Sequence, residues 1–371
     1  MTFERYIKKN GKKYRMGFTT GSAAAAAAKA ASEMFFSGQK NKNVKIDTPA
    51  NIKLELEVAE IDLNENYVKA GIVKDGGDDP DVTNGLLILA RAESISERNI
   101  LIKGGRGVGK VTKPGLPISP GKSAINPIPR KMIKKEVRKV IPEDKGMKIT
   151  IEIPEGKKIA QKTFNPRLGI EGGISVLGTT GIVEPMSKSA YKESLALELK
   201  QAVEMGRKDL VFVFGNHGKK LAKKLGYNKK DIIRMSNFVG YMLDKSEELE
   251  INSLIIIGHI GKIAKVAAGI YNTHSKVADA RQEIIASYAA LFGAKQNIVE
   301  KIFESSTAEN AANIVLENDL ASMFNFMAKR IVNKIRLRLE NEQLGIGSMI
   351  FSLEKGILGS YGIGKKELEY E

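Results

Sequence analysis

Three short, nearly continuous apolar runs, each closed by a glycine-bearing loop and a helical stretch, constrain this chain more than any other feature. They are residues 174–177 (ISVL), 210–214 (LVFVF) and 254–257 (LIII). Strands without polar alternation are buried on both faces, and strands separated by helices form a parallel sheet with crossover connections. Such sheets gather ligands at the carboxyl ends of their strands. Residues 279–339 read as mostly amphipathic helix, and the terminal KKELEYE, residues 365–371, as a frayed end. The second half is therefore expected to be an α/β domain with a Rossmann-like, largely parallel sheet.

The first half follows a different rule. In residues 52–59, Ile52, Leu54, Leu56 and Val58 alternate with Lys53, Glu55 and Glu57, as in a strand with one face in solvent. Strands are also expected at 44–46, 66–72 and 147–153, and a helix at 130–140 behind the Asn-Pro-Ile-Pro turn. This is an α+β pattern, a sheet with helices on one side, and no internal repeat is visible. At 371 residues the chain is long enough for two cores with a cleft between them. The division is placed between 1–165 and 166–371.

Composition removes several function classes. With no cysteine there is no disulfide, thiolate nucleophile, thiolate zinc site or iron–sulfur cluster. No apolar run reaches the ~20 residues that span a bilayer, and the polar, basic N-terminus lacks the order of a secretory signal, so no membrane partner and a cytoplasmic location are expected. Lys and Arg outnumber Asp and Glu by 59 to 43, a formal charge of +16. That field attracts polyanions, either nucleic acid or a small molecule rich in carboxylates. Aromatic residues at 6%, with no tryptophan, supply few stacking platforms for single strands.

Several segments have the residue types that bind or react. Thr19, Thr20 and Ser22 stand before the alanine run 23–28, where a helix start offers free N–H groups to a carboxylate or phosphate and hydroxyls also serve as caps. A helix so smooth also admits a close backbone or a flat ligand. The loop 74–81 concentrates Asp75, Asp78, Asp79 and Asp81; its spacing is not that of an EF-hand, and a turn with Asx caps explains it, so no protein-bound metal is expected. One of these carboxylates, with Asp78 as the candidate, remains available to a cationic donor or as a base. Gly104 to Lys110 imitates a phosphate-binding loop, but Val111 stands where that motif requires Ser or Thr for magnesium. Its glycines are better suited to bending the backbone around a ligand or a neighbouring strand.

The proline-rich residues 114–130 form a stiff loop, from which Lys113, Lys122 and Arg130 are placed to grip carboxylates. Gly178, Thr179, Thr180 and Gly181 follow the first apolar run, where a doubly wound sheet would bind a nucleotide or its amino-acid end. His217 and His259 each stand just after an expected strand end, and His274 lies in Asn-Thr-His-Ser-Lys. They are the only histidines, and imidazole is the commonest proton shuttle near neutral pH.

Together these segments resemble a known family. GFTTGSAAAAAAKAA, VKDGGDDPDVTNG, VTKPGLPISPGKSAINPIPRKMI, NPRLGIEGGISVLGTTGIVEPMS, SNFVGYMLD and GHIGKIAKVAAGIYNTHSKVADAR are similar, in order, to the cobalt-precorrin-5B C1-methyltransferase family. Members often carry Cys where this chain has Ala23, and His where it has Asn84. The resemblance implies S-adenosylmethionine as donor and a cobalt-containing, polycarboxylate tetrapyrrole as substrate, the cobalt belonging to the substrate. It implies methylation of C1 of cobalt-precorrin-5B in anaerobic cobalamin biosynthesis, with no nucleic-acid partner. The expected assignment has Gly178, Thr179, Thr180 and Gly181 on the donor. Thr19, Thr20, Ser22, Lys113, Arg130 and His274 are on the substrate, and His259, His217 and Asp78 are the candidate bases. The oligomeric state is left open, a homo-oligomer included. The rival is a basic nucleic-acid or nucleotide binder, and a non-catalytic tetrapyrrole carrier is the third reading.

Overall fold

The computed structural model describes residues 3–9, 11–339, 341 and 343–363. The stretch 365–371, expected to fray, lies outside the described residues. Two compact units divide the chain, Met1–Lys188 and Ser189–Glu371. Among the described residues no helix is long and apolar enough to cross a membrane.

Unit 1 opens with β1 (Tyr6–Lys9), β2 (Lys12–Arg15) and β3 (Gly17–Phe18), followed by helix α1 (Thr20–Ser37). Then come β4 (Asn43–Asp47), β5 (Lys53–Glu57), β6 (Glu60–Leu63), β7 (Val68–Val73), β8 (Leu87–Ile95) and β9 (Ile100–Gly104). It closes with β10 (Lys110–Val111), α2 (Pro127–Arg138), β11 (Gly146–Glu152), α3 (Gly156–Ala160), β12 (Ile170–Glu171) and β13 (Ile182–Val183). The main sheet has the order β6-β7-β8-β11-β9, antiparallel except for the parallel pair β11 and β9.

Its two faces differ in the way strand alternation requires. Ile88, Ala90, Ala92, Met147, Ile149 and Ile151 are buried, while the polar positions of the same strands make the ion pairs Lys69–Glu152 (3.4 Å) and Lys148–Glu93 (2.9 Å). The alternation seen in 52–59 becomes the hairpin of β4 and β5, in which Val44 faces Leu56 and Ile46 faces Leu54. Helix α1 packs on β7 and β8, and α2 packs on α1. Its alanines give the strongest helix propensity, and Gly38 closes it in the left-handed conformation at φ 68°. Every alanine from Ala23 to Ala28 is fully buried, so the smooth surface is used for close approach by the protein itself.

The units divide later than the 165/166 boundary read from the sequence. Residues 166–188 pack with unit 1, where β12 pairs with β10 and β13 with β3, and Ile174 and Val176 bridge to Val108 and Ile125. Residues 174–177 are thus a connector, not the first strand of a parallel sheet. They are apolar because Ile174 and Val176 belong to the core of unit 1.

Glycines 104–110 bind neighbouring backbone, the second of their two expected uses. Gly107 has φ +74°, and a Cβ there would lie 1.8 Å from the Ile153 carbonyl oxygen. The Gly109 amide donates to the Ile174 carbonyl at 2.9 Å and the Gly105 amide to Ile151 at 2.8 Å, so three chain segments cross here without side chains.

Unit 2 contains α4 (Lys188–Glu204), β14 (Asp209–Val213), α5 (Asn216–Lys224), β15 (Ile232–Arg234), α6 (Val239–Glu248), β16 (Ser253–His259) and α7 (Ile260–Ala267). The helices α8 (Arg281–Leu291), α9 (Gln296–Phe303), α10 (Ala308–Glu317) and α11 (Ser322–Leu339) precede β17 (Gly345–Ser352) and β18 (Gly356–Tyr361). The sheet order is β15-β14-β16-β17-β18, parallel throughout except for the antiparallel edge β18. Strands β14 and β16 are the apolar runs expected at 210–214 and 254–257, with Leu210, Phe212, Leu254 and Ile256 in the core. From β14 the chain crosses to β15 on one side, and from β16 it crosses to β17 on the other. The order therefore reverses between β14 and β16, the place where open α/β sheets gather their ligands.

Candidate active site

In unit 1 the start of α1 meets the loop expected to hold the donor. Thr19 caps the helix, its hydroxyl accepting the Ser22 amide at 3.2 Å. The Gly21 amide donates to the Leu177 carbonyl at 2.9 Å, and Thr19 and Ser22 bond the Gly181 carbonyl, by backbone N–H (3.1 Å) and hydroxyl (2.6 Å). Thr20 Oγ1 accepts the Leu177 amide at 2.9 Å. The helix-start groups that a carboxylate would use are therefore engaged by the loop 177–181. Thr19, Thr20 and Ser22 are buried, and the anion-docking expectation at these three gives way to loop anchoring. Gly178 has φ +139°, and a Cβ there would stand 2.3 Å from Thr19 Oγ1, so only glycine lets the loop approach this closely. Thr179 and Thr180 remain exposed on its outer side. Because the loop belongs to unit 1 and follows no parallel strand, the reason for placing a nucleotide there no longer holds.

The acidic loop packs beside β3, and its carboxylates are largely committed. Asp75 is paired with both terminal nitrogens of Arg15, at 2.5 and 2.8 Å. The Arg15 hydrogen bonds, with help from the Gly77 amide, hold Asp75 below the usual carboxylate range against the opposing effect of burial. Asp81 accepts the buried Lys74 ammonium at 2.8 Å. Burial pushes Asp81 up, but Lys74 and Thr83 together outweigh it and its pKa is lowered. Asp79 accepts the Met186 amide at 2.7 Å, which ties this loop to the segment after β13. Asp78 takes the Arg15 backbone amide at 2.6 Å through one oxygen and is otherwise exposed. Asn84, where the family often has His, accepts the Gly76 amide at 2.8 Å and fixes the loop's turn.

A depression of about 730 Å³ lies between the edge strand β9, the proline-rich loop and the first turns of α2. Ile100, Ile102, Pro117, Ile118, Ile125 and Pro127 supply its apolar lining. Among the described residues its charged lining is cationic: Lys103, Lys122, Arg130, Lys131 and Lys134. Arg130 spans the gap, its Nε donating to the Ile125 carbonyl at 2.9 Å and its Nη1 to Ile102 at 3.1 Å. Burial without a carboxylate partner lowers its pKa. Of the three expected carboxylate grips, Lys122 and Arg130 line this depression. Lys113 does not, because its stem lies over Gly169.

In unit 2 the carboxyl ends of β14 and β16 run into α5 and α7 through two short glycine-bounded segments, Gly215-Asn216-His217-Gly218 and Gly258-His259-Ile260-Gly261. A Cβ on Gly215 would meet nothing within 4 Å, so the backbone there faces open space. At Gly218 it would lie 3.3 Å from the Ile257 carbonyl oxygen, which is close packing of α5 on the sheet. His217 is exposed in the first turn of α5. Lys262, half-buried in the first turn of α7, has its pKa lowered by burial.

His259 is not free to shuttle protons in this arrangement. Its Nδ1 accepts the Gly261 amide at 3.2 Å, which leaves the proton on Nε2, and Nε2 donates to Glu309 at 2.5 Å. Glu309 also accepts the Ser352 hydroxyl at 2.5 Å and the Leu353 amide at 2.7 Å, joining the ends of β16 and β17 to α10. Of the three candidate bases, His217 and Asp78 are exposed, whereas both ring nitrogens of the partly exposed His259 are engaged by protein partners. His274 Nδ1 accepts the Lys276 amide at 3.1 Å in a loop pinned from below by the buried Lys265, whose ammonium donates to Thr273 (3.2 Å) and Ala278 (2.6 Å) carbonyls. Glu309, Lys262 and Lys265 were missed by sequence reasoning. The apolar spacing of 260–267 marks a helix, but nothing in it marks which lysine turns inward.

Comparison with known proteins agrees with the resemblance read from the motifs. The family model described as CbiD matches residues 7–185, and that described as the CbiD C-terminal domain matches residues 272–362. A protein named cobalt-precorrin-5B C(1)-methyltransferase from Thermoanaerobacter sp. is 51% identical over 97% of this chain and 98% of its own. Proteins of the same name from Clostridium perfringens and Methanocaldococcus jannaschii are 48% and 45% identical, over 100% and 96% of this chain and 98% of each of theirs. A crystal structure of a cobalamin biosynthesis protein from Archaeoglobus fulgidus is 27% identical over 74% of this chain and 87% of that one, with a TM-score of 0.38. The chain belongs to the CbiD family, that of the cobalt-precorrin-5B C(1)-methyltransferases.

Proposed function

We propose that this chain transfers a methyl group from S-adenosylmethionine to C1 of cobalt-precorrin-5B, giving cobalt-precorrin-6A on the oxygen-independent, early-cobalt route to cobalamin. The observation that carries this reading is the 51% identity, over 97% of the chain, to a protein with that name. The cobalt enters with the substrate, and the work is placed in the cytoplasm.

The reaction is an in-line displacement. The macrocycle's nitrogens push electron density to C1, a C–C bond forms, the S–CH3 bond breaks and S-adenosylhomocysteine leaves as the neutral thioether. Such chemistry asks the protein mainly to hold carbon and methyl roughly 3 to 3.5 Å apart in line and to exclude water. The donor is assigned to the strand-order reversal between β14 and β16, with the open backbone at Gly215 against the nucleoside and Lys262 towards the methionyl carboxylate. What supports this over Gly178–Gly181 is that the buried parallel strands, the reason for expecting a nucleotide, are β14 and β16. His217, exposed beside the same strand end, is the base candidate that fits a proton-removal step.

The test is anaerobic incubation of the purified chain with cobalt-precorrin-5B and methyl-labelled S-adenosylmethionine, followed by mass spectrometry and NMR of the pigment. One labelled methyl per ring, at C1, is the expected result. No transfer by folded protein with intact substrate and donor overturns the reading.

A further inference from the structure

We infer that the basic depression of unit 1 is a cradle for the carboxylate fringe of a tetrapyrrole, with Lys103, Lys122, Arg130, Lys131 and Lys134 as its cationic rim. This rests on the methyltransferase reading and names the residues that would recognise its substrate.

The charge is the first argument. Five cations converge on one depression, and among the described residues no carboxylate lines it. Among the described residues none of the five makes an ion pair, whereas Lys29, Lys69, Lys74, Lys139 and Lys148 each have a carboxylate partner. Like charges gathered without counter-ions repel one another, and the half-buried Arg130 is also partly stripped of water. An anionic ligand relieves both costs. The two backbone bonds of Arg130 fix its fork across the gap, so the remaining donors are held in place before a ligand arrives.

Shape and lining choose the class of anion. At about 730 Å³ the depression is in the upper part of the range for small-molecule sites, roughly 300 to 1,000 Å³. Isoleucine and proline side chains form its floor and cations its edge, a match for a broad apolar ring with acetate and propionate arms. Among the described residues the lining has no aromatic side chain, the platform on which a nucleobase stacks. The proline-rich loop forms one wall, and a wall whose backbone is preset loses little entropy when a ligand docks.

The test measures binding of two probes, cobyrinic acid with its free carboxylates and the same corrin with every carboxylate methyl-esterified. Wild type is expected to bind the acid at least tenfold more tightly than the ester. The exposed triple variant Lys103→Glu/Lys122→Glu/Lys134→Glu should weaken the acid by about 30- to 100-fold, on the scale of exposed charge pairs added over three sites. It should leave S-adenosylhomocysteine affinity and the circular dichroism spectrum unchanged. The triple variant Lys40→Glu/Lys42→Glu/Lys53→Glu, at exposed lysines outside the depression, makes the same change of net charge and should leave acid binding as it is. Equal binding of acid and ester, or acid binding undiminished in the folded triple variant, overturns the cradle. So does steeply salt-dependent RNA binding that the triple variant abolishes while the acid binds neither protein. Wild type that methylates cobalt-precorrin-5B, with a triple variant of unchanged KM, sinks the cradle and keeps the enzyme. Wild type that binds the acid through these lysines and transfers no methyl does the reverse.

Discussion

Glu136 is fully buried on α2 and ties three parts of unit 1 together. Its carboxylate pairs with Lys29 of α1 at 3.1 Å and Lys139 at 2.5 Å, and accepts the Asp47 amide at 3.3 Å. Replacing it by alanine leaves the Lys29 ammonium, whose side chain is 15% exposed, with only the Lys45 carbonyl as partner. Removing one member of a buried pair typically costs about 3 to 5 kcal/mol, since the remaining charge stays desolvated. For a unit of this size that corresponds to a Tm lower by roughly 6 to 20 °C. Glu136→Ala should therefore melt early when the full chain is followed by circular dichroism, and hydrogen exchange should localise the opening to α1 and α2. The apolar double variant Lys29→Met/Glu136→Leu should recover most of the loss, because replacing a buried pair by packed apolar groups is often neutral. A loss below about 1 kcal/mol for Glu136→Ala, the range of exposed pairs, would refute the reasoning.

Gly215→Val tests the donor assignment without disturbing packing. Its backbone is extended and a Cβ meets nothing within 4 Å, so Tm should hold while S-adenosylmethionine affinity measured by calorimetry falls at least tenfold; retained affinity removes the donor from these strand ends. Gly258→Ala is the opposite case, since the new Cβ would lie 2.5 Å from the Phe214 ring and 2.6 Å from Ile263. Urea unfolding should show a loss of about 1 to 3 kcal/mol, and no loss would mean that the strand end is looser than its geometry. For Glu309, burial pushes the pKa up but the Ser352, Leu353 and His259 bonds prevail, so the folded value lies below the ordinary 4.5. A carboxylate of this sign stabilises the fold above its unfolded pKa and loses the contribution as pH falls through the folded one. Tm should drop as the pH falls below about 4.5, and less steeply in Glu309→Gln; parallel curves would remove Glu309 from the acid response.

The parts of the fold legible in the sequence are those set by local periodicity. Alternation across residues 52–58 gives a hairpin strand, and the unbroken LVFVF and LIII give β14 and β16. Three failures share a cause. Residues 174–177 are as apolar as those strands, yet they cross unit 1 as a connector, because burial and not strand pairing is what apolar residues record. The strands β17 and β18 carry Gly345, Gly347, Gly356 and Gly359, which weaken the strand signal; a Cβ at Gly359 would lie 2.6 Å from the Phe324 carbonyl carbon, so closeness to α11 dictated glycine. The division at Lys188 was displaced because a two-residue strand, β13, decides it through its pairing with β3. No local pattern encodes so short a pairing.

The same cause governs the site. The longest motifs of unit 1 are dense in glycine, threonine and aspartate, and such density invites a ligand-binding reading. Most of those residues have protein neighbours instead. Gly107 lets backbones touch, Gly178 and Gly181 make room for the side chains of Thr19, Ser22 and Thr48, and Thr19, Thr20 and Ser22 anchor a loop. Asp75 and Asp79 tie the acidic loop to Arg15 and to the segment after β13, and Asp81 is held within that loop by Lys74. Motif density thus reports where the chain must pass close to itself, and chemistry has to be sought in what packing leaves over. In unit 1 the remainder is small: exposed Thr179, Thr180 and Asp78, and the unpaired cations around the depression. In unit 2 it is the open backbone at Gly215, the exposed His217 and the half-buried Lys262. A polycarboxylate fits the first remainder and a nucleoside with a carboxylate end fits the second. Only the second lies at a strand-order reversal, which is why the donor is assigned there and the substrate's carboxylates to the cationic rim.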